Sequence, residues 1–112
     1  MSVLRMSVSA GERGPLITLS GEADITNAAE LSELINAQLS GGTRHLAIDV
    51  AGLAFADSAS VHVLVAAART LNERGGGLLL LRPQRPISVV LQLIGVSELI
   101  TIREETAAEP GP

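Results

Sequence analysis

The chain contains no cysteine, no lysine and only one aromatic residue among its 112 residues. Without cysteine it can form no disulfide, no thiolate metal site and no thiol nucleophile. Without lysine it cannot complete a phosphate-binding P-loop, which requires that side chain. The single aromatic residue, Phe55, supplies no stacking platform for single-stranded nucleic acid and disfavours sites for sugars or flat cofactors. We therefore expect no cofactor and no metal.

Positive charge and long apolar runs are also scarce. The formal net charge is −4, whereas a nucleic-acid-binding protein ordinarily presents a basic face. No apolar run approaches the roughly 20 residues of a membrane-spanning helix, and Met1–Arg5 lacks the apolar segment of a secretory leader. The sequence thus predicts a cytoplasmic protein that binds no nucleic acid and does not insert directly into a membrane.

What the sequence does contain is a regular succession of strand and helix patterns. Hydrophobic periodicity and turn residues predict the order β-β-α-β-α-β-α-β. The strands are expected at residues 3–9, 16–20, 44–50, 78–81 and 99–102. The helices are expected to run from Thr26 or Asn27 to Gly41, from Ser58 to about Arg74, and from Ile87 to Ile94. Units of this length form a mixed, mostly parallel sheet with helices packed against it, so the predicted fold class is α/β.

The length of the chain suits one domain with its own core. We assign residues 1–104 to this domain. Residues 105–112 combine Glu, Pro and Gly with few apolar side chains, and we expect them to form a disordered tail.

Polar residues cluster where the second strand is expected to lead into the first helix. Glu22 and Asp24 fall in a predicted loop and project the same way if the backbone is extended. This favours a solvated or partner-facing acidic edge over an acid–base pair. Thr26 or Asn27 is expected to cap the helix, with Glu30 completing a capping box, and Asp24 is a further candidate cap.

A second polar pair, Asp57 and Ser58, stands where the second helix is expected to begin. The first N–H groups of a helix lack intrahelical partners, and the helix dipole places positive charge there. A hydroxyl at this position either caps the helix or carries and holds a phosphate. Sequence position alone leaves both interpretations open.

Neither histidine indicates catalysis or metal binding. Ser58 and His62 are four residues apart on one predicted helix, so they would lie near each other, as the nucleophile and the base of a hydrolase do. However, the chain has no G-x-S-x-G elbow and no third group placed to orient the imidazole, so we do not expect an enzyme. His45 has no partner at a metal-ligand spacing. Asp49 lies inside an apolar strand and is expected to be structural, either near the exposed end of the strand or accepting hydrogen bonds from loop amides.

Three blocks of the sequence resemble the STAS domain, the family of bacterial anti-sigma factor antagonists. The blocks are Leu19–Asp24, Ile48–Ser58, and Gly75–Leu81 followed by Leu91–Leu99. The similarity covers nearly the whole chain in the element order predicted above. In that family an Asp-Ser-Ser-Gly-Leu stretch begins the second helix. In this chain Ala59 replaces the second serine of that stretch and Ser60 replaces the glycine. His62 occupies a position where the family commonly has a small residue.

The resemblance implies that Ser58 is phosphorylated by a serine kinase that is also the anti-sigma factor, with Ser60 as the substitute acceptor. The unphosphorylated protein would bind this kinase and be released by phosphorylation, which would free a sigma factor. The resemblance further implies a PP2C-type phosphatase as a partner and is compatible with a homo-oligomer. The residues expected to bind the partner are Glu22, Asp24, Asp57, Ser58, His62 and Arg69.

One exposed stripe is expected on the second helix, where Ser58, His62, Arg69 and Glu73 recur at helical spacing. His62 is placed to donate to a phosphate on Ser58, or is simply a solvated residue. Two other functions stay open. One is a non-phosphorylated STAS module of a transporter or scaffold complex, in which Ser58 only caps the helix. The other is a small hydrolase that uses Ser58 and His62.

Overall fold

Five strands form a single sheet in the computed structural model, which describes residues 3–104 and, at Ser97, the backbone alone. The strands are β1 (Leu4–Ala10), β2 (Pro15–Ala23), β3 (His45–Ala56), β4 (Gly77–Leu81) and β5 (Ile100–Arg103). They lie in chain order, with β1 antiparallel to β2 and the other neighbours parallel. The predicted fold class and element order are confirmed. The tail predicted at residues 105–112 lies outside the described residues.

Three α-helices connect the parallel strands, namely α1 (Ala28–Leu39), α2 (Ser58–Glu73) and α3 (Arg85–Ile94). Because successive parallel strands are neighbours and such crossovers are right-handed, all three helices lie on one face of the sheet. Alternate residues of a strand accordingly differ in burial: Ile17 and Ile48 are fully buried, whereas Thr18 and Asp49 are not. We call the other surface the helix-free face. Its central residues are Leu16, Thr18, Ala47, Asp49, Leu79 and Thr101.

Strand β3 is longer than the sequence predicts, since it continues past Val50 to Ala56. Its pairing with β2 contains two register shifts, and at each shift β3 contains one extra residue. The buried positions of β3 therefore change from every second residue, ending at Val50, to every third, at Leu53 and Ala56. The alternation that identifies a strand is lost in the sequence at this point, and the predicted end at Val50 is wrong.

Strand β2 likewise includes Gly21–Ala23, which the sequence analysis assigns to an acidic loop. Gly21 has a φ of +99°, and a Cβ there would lie 2.1 Å from the carbonyl oxygen of Val3. Only glycine permits this close approach of the backbone. The N–H of Glu22 donates to the same carbonyl at 2.9 Å. The acidic loop therefore begins only at Asp24.

Asp49 is structural, as the sequence predicts. Its Oδ1 accepts a hydrogen bond from the N–H of Ala51 at 3.0 Å, and its Oδ2 accepts one from Nη2 of Arg82 at 2.8 Å. Arg82 lies in the connection between β4 and α3, and Gln84 in the same connection donates to the carbonyl of Ala51 at 2.9 Å. These bonds fix the connection against β3.

Candidate functional site

The carboxyl ends of β2 and β3 lie side by side because the two strands are parallel neighbours. Ala23 pairs with Ala56 at the end of this ladder. The N–H of the next residue, Asp57, donates to the carbonyl of Ala23 at 3.1 Å. The loop that leads into α1 and the first turn of α2 therefore leave the sheet next to each other, and this edge is the candidate functional site.

Asp57 caps α2 and also holds the neighbouring loop. Its Oδ1 accepts a hydrogen bond from the N–H of Ser60 at 2.9 Å, and its Oδ2 accepts one from the N–H of Ile25 at 2.9 Å. The interpretation that Ser58 caps the helix is therefore wrong, because the preceding residue occupies the cap position. Ser58 is instead the first residue of the helix, and its side chain is exposed.

The loop between β2 and α1 is held by its own polar side chains. A carboxylate oxygen of Asp24 accepts hydrogen bonds from the N–H and the hydroxyl of Thr26, which closes a local turn. The buried Asn27 accepts from the N–H of Asp24 at 2.9 Å and donates to the carbonyl of Glu22 at 3.1 Å. Its side chain thus points back to β2 and makes no cap hydrogen bond, so the predicted capping box with Glu30 is wrong.

The predicted partner-binding residues near this edge lie on two sides of it. Asp24, Asp57 and Ser58 belong to the two segments that the side chain of Asp57 joins. Glu22 is exposed and precedes the buried Ala23 in β2, so its side chain points to the helix-free face. A partner that contacts all four acidic and hydroxyl groups must therefore cover the edge from both sides.

The other two predicted residues, His62 and Arg69, lie further along α2. Both are exposed, as are Ser58 and Glu73, in agreement with the helical spacing. Arg69 lies roughly 16 Å from Ser58 along the helix axis, at about 1.5 Å per residue. A partner that contacts Ser58 and Arg69 together must therefore lie along the length of α2.

Two apolar side chains that the sequence analysis did not select flank the site. Ile25 is 73% exposed and Phe55 is 48% exposed. Exposed apolar side chains beside a polar site are typical of surfaces that bind another protein. The sequence does contain a signal for them, because Ile25 stands alone between two polar turn residues and Phe55 between two alanines.

The backbone of the first turn of α2 is only partly hydrogen-bonded. The N–H of Ser60 donates to the side chain of Asp57, and the N–H of Val61 donates to the carbonyl of Asp57. Within residues 3–104, the N–H groups of Ser58 and Ala59 have no acceptor. These two donors and the positive end of the helix dipole favour an anionic group at this position.

Ser60, the expected substitute acceptor, is 1% exposed. Its Oγ has no hydrogen-bond partner in the described part of the chain. A kinase must reach the hydroxyl oxygen that it modifies, so the expectation that Ser60 can replace Ser58 is wrong for the folded protein.

A hydrolase that uses Ser58 and His62 would need a group that orients the imidazole of His62. The carboxylate oxygens of Asp57 accept the N–H groups of Ile25 and Ser60, and within residues 3–104 no hydrogen bond joins Asp57 to His62. Residues 3–104 contain no group of three or more histidine, aspartate and glutamate side chains that could hold a metal ion. Over the same residues, every helix is too short or too polar to cross a membrane.

Known proteins match the chain over most of its length. A family model described as "Mlab, STAS domain" matches residues 6–101. The anti-sigma-B factor antagonist of Staphylococcus aureus is 24% identical over 93 residues, which cover 83% of this chain and 86% of that protein. The same name and identity apply to a protein of Staphylococcus epidermidis.

Solved structures show the same fold. An anti-sigma factor antagonist from Mycobacterium paratuberculosis matches with a TM-score of 0.81 at 20% identity, covering 90% of this chain and 86% of that one. The anti-sigma factor antagonist SpoIIAA in its unphosphorylated form gives 0.74 at 22% identity, covering 88% and 87%. SpoIIAA of Bacillus in the phosphorylated form gives 0.71 at 22% identity, covering 88% and 90%.

This chain thus shares its fold with solved proteins named as anti-sigma factor antagonists. The chain belongs to the STAS domain family.

Proposed function

We propose that this protein is a cytoplasmic anti-sigma factor antagonist whose binding is switched by phosphorylation of Ser58. The observation that carries the proposal is the position of Ser58. Its side chain is exposed at the first residue of α2, and Asp57 has taken over the capping role that would otherwise explain a hydroxyl there. The matches to proteins named as anti-sigma factor antagonists support the class of partner.

The unphosphorylated surface suits a protein partner. Ile25 and Phe55 offer apolar area, and the adjacent loop is held in one conformation by Asp24, Asn27 and Asp57. A fixed surface loses little conformational entropy when it binds. We assign the anti-sigma factor serine kinase to this surface, with further contacts from Glu22, His62 and Arg69.

A phosphate on Ser58 changes the charge of this surface more than its shape. It adds about −1.5 to −2 charges at neutral pH. The protein can accommodate these charges, because the N–H groups of Ser58 and Ala59 at the helix terminus have no acceptor within residues 3–104. A partner must instead desolvate the phosphate beside Asp24 and Asp57, so the complex dissociates while the fold persists. A PP2C-type phosphatase would restore the hydroxyl.

The test is incubation of the full chain with a candidate anti-sigma kinase and Mg-ATP, followed by intact-mass measurement. We expect one added phosphate on the unmodified protein and on Ser60→Ala, and none on Ser58→Ala. Ser60→Ala is the matched control, because it removes a buried hydroxyl from the same helical turn. Phosphate that persists in Ser58→Ala would contradict the proposal, as would tight binding of the kinase to the phosphorylated protein.

A second candidate is a STAS module of a transporter or scaffold complex that is never phosphorylated. The departures at Ala59, Ser60 and His62 from the family stretch favour it. This candidate uses the same apolar surface but makes no use of the hydroxyl. It predicts that Ser58→Ala and the unmodified protein are equal in partner binding after incubation with any kinase and Mg-ATP.

A further inference from the structure

A cavity of about 420 Å³ lies on the helix-free face, at the amino end of the parallel strands. Its floor is mainly apolar and is formed by residues that are paired with one another across strands β2 to β5. Leu16 pairs with Ala47, Ala47 with Leu79, and Leu79 with Thr101. The volume falls within the range of about 300–1,000 Å³ that is usual for small-molecule sites.

The wall of this cavity is the turn between β1 and β2. The turn is closed by a hydrogen bond from the N–H of Gly11 to the carbonyl of Gly14 at 2.8 Å. Gly14 packs directly on the backbone of β3, since a Cβ there would lie 2.2 Å from the carbonyl oxygen of His45. The wall is therefore tied to the sheet by main-chain contacts, and the cavity is part of the folded structure.

Two arginines, Arg13 and Arg103, line the cavity together with His45 and one acid, Glu12. Within residues 3–104 the single ion pair joins Arg82 to Asp49, so neither Arg13 nor Arg103 has a carboxylate partner there. By contrast, Arg74 donates to the carbonyls of Leu39 and Thr43, which engages it in the fold. Within residues 3–104, both guanidinium groups beside the apolar floor are thus left without a carboxylate partner.

We propose that this cavity binds an amphipathic anion, a small molecule with a carboxylate or phosphate group on an apolar body. The apolar body lies on Leu16, Ala47 and Leu79, and the anionic group is bound by one of the two arginines that line opposite ends of the cavity, Arg13 beside β2 or Arg103 in β5. Guanidinium groups suit this role because they donate two parallel hydrogen bonds to a carboxylate or phosphate. The site is on the opposite face of the sheet from α2, so it is independent of the proposed function of Ser58.

The probe is decanoate, titrated into the ¹⁵N-labelled full chain below its micelle concentration while amide chemical shifts are recorded. We expect saturable shifts at Leu16, Ala47, Leu79 and Thr101. Decyltrimethylammonium, with the same apolar chain and the opposite charge, is expected to bind at least about tenfold more weakly, since charge-assisted hydrogen bonds to arginine are lost. Acetate is expected to cause no saturable shift, because it lacks the apolar body.

Two variants locate the binding. Arg13→Gln combined with Arg103→Gln is expected to weaken decanoate binding about tenfold, whereas Arg69→Gln on the exposed face of α2 leaves it unchanged. Ala47→Leu fills the floor and is expected to abolish the shifts, with the melting temperature confirming that the variant is folded. Equal affinity for decanoate and decyltrimethylammonium, shifts confined to other residues, or no saturable shift would each overturn the proposal. Decyl phosphate as a second probe distinguishes the two anionic groups.

Discussion

The two ends of the same parallel strands are built in different ways. At the amino end, main-chain atoms pack together: a Cβ on Gly76 would lie 1.7 Å from the carbonyl oxygen of Arg44. At the carboxyl end, the side chains of Asp57 and Asn27 hold the loops through hydrogen bonds to main-chain groups. A methyl group added at Gly76 therefore has no room, whereas the exposed side chains at the carboxyl end are free to serve binding. Substitution of a group that holds the main chain at either end should change stability, and substitution of an exposed side chain should change binding.

The largest effect is expected from Gly76→Ala. The new methyl group overlaps a backbone carbonyl, so strands β3 and β4 must separate, and the free energy of unfolding should fall by roughly 3 kcal/mol. The matched control is Gly41→Ala, where φ is +79° and nothing lies within 4 Å of the new Cβ. Strain alone should cost about 1 kcal/mol there. Equal losses in urea unfolding would contradict the close main-chain contact at Gly76.

At the carboxyl end, Asp57→Ala should have the largest effect on stability. It removes the α2 cap, worth about 1 kcal/mol, and the hydrogen bond to Ile25, worth about another 1 kcal/mol. We therefore expect a total loss of about 2 kcal/mol in urea unfolding. Asp57→Asn keeps one acceptor oxygen and should lose clearly less. Equal losses in the two variants would show that the hydrogen bond retained by asparagine contributes nothing.

Ile25→Ser tests the apolar part of the binding surface. We expect the affinity for the anti-sigma partner to fall about tenfold, because a central exposed apolar side chain is removed from the interface. The free energy of unfolding should change by less than about 0.5 kcal/mol. Leu93→Ser is the control, since Leu93 is 82% exposed on α3. The affinity of both variants for the partner is measured by calorimetric titration. An equal loss of affinity in Leu93→Ser would contradict a specific contribution of Ile25 to binding.

Ser60→Ala should stabilise the protein slightly. The substitution removes a buried hydroxyl that has no partner in the described structure, so the free energy of unfolding should rise by up to about 1 kcal/mol. Ser40→Ala is the opposite case, because the hydroxyl of Ser40 donates to the carbonyl of Ala37 at 2.9 Å and its loss should destabilise. A decrease for Ser60→Ala would indicate that its hydroxyl is satisfied in solution.

The smallest effect on stability is expected from Ser58→Ala. The side chain is exposed and does not cap the helix, so the free energy of unfolding should change by less than about 0.5 kcal/mol. A larger loss in urea unfolding would mean that the hydroxyl has a structural role after all. The variant therefore removes the proposed phosphorylation site and leaves the stability of the fold unchanged.

The element order could be predicted from the sequence because most helices and strands keep their periodicity. The ends of β2 and β3 could not, because two bulges change the spacing of the buried residues Val50, Leu53 and Ala56. The partners of Asp49 and Asp57 also escaped prediction. Arg82 and Ile25 lie 33 and 32 residues away from them along the chain, and only the fold brings these groups together.

The hydrogen bond between Asp57 and position 25 involves the main chain of Ile25 and not its side chain. Any residue with an N–H group can make it, so the loop keeps its shape whichever side chain stands at this position. A substitution at residue 25 can therefore change what the exposed side chain contacts and leave this hydrogen bond in place. The same property makes this position the natural starting point for engineering an antagonist with a new specificity.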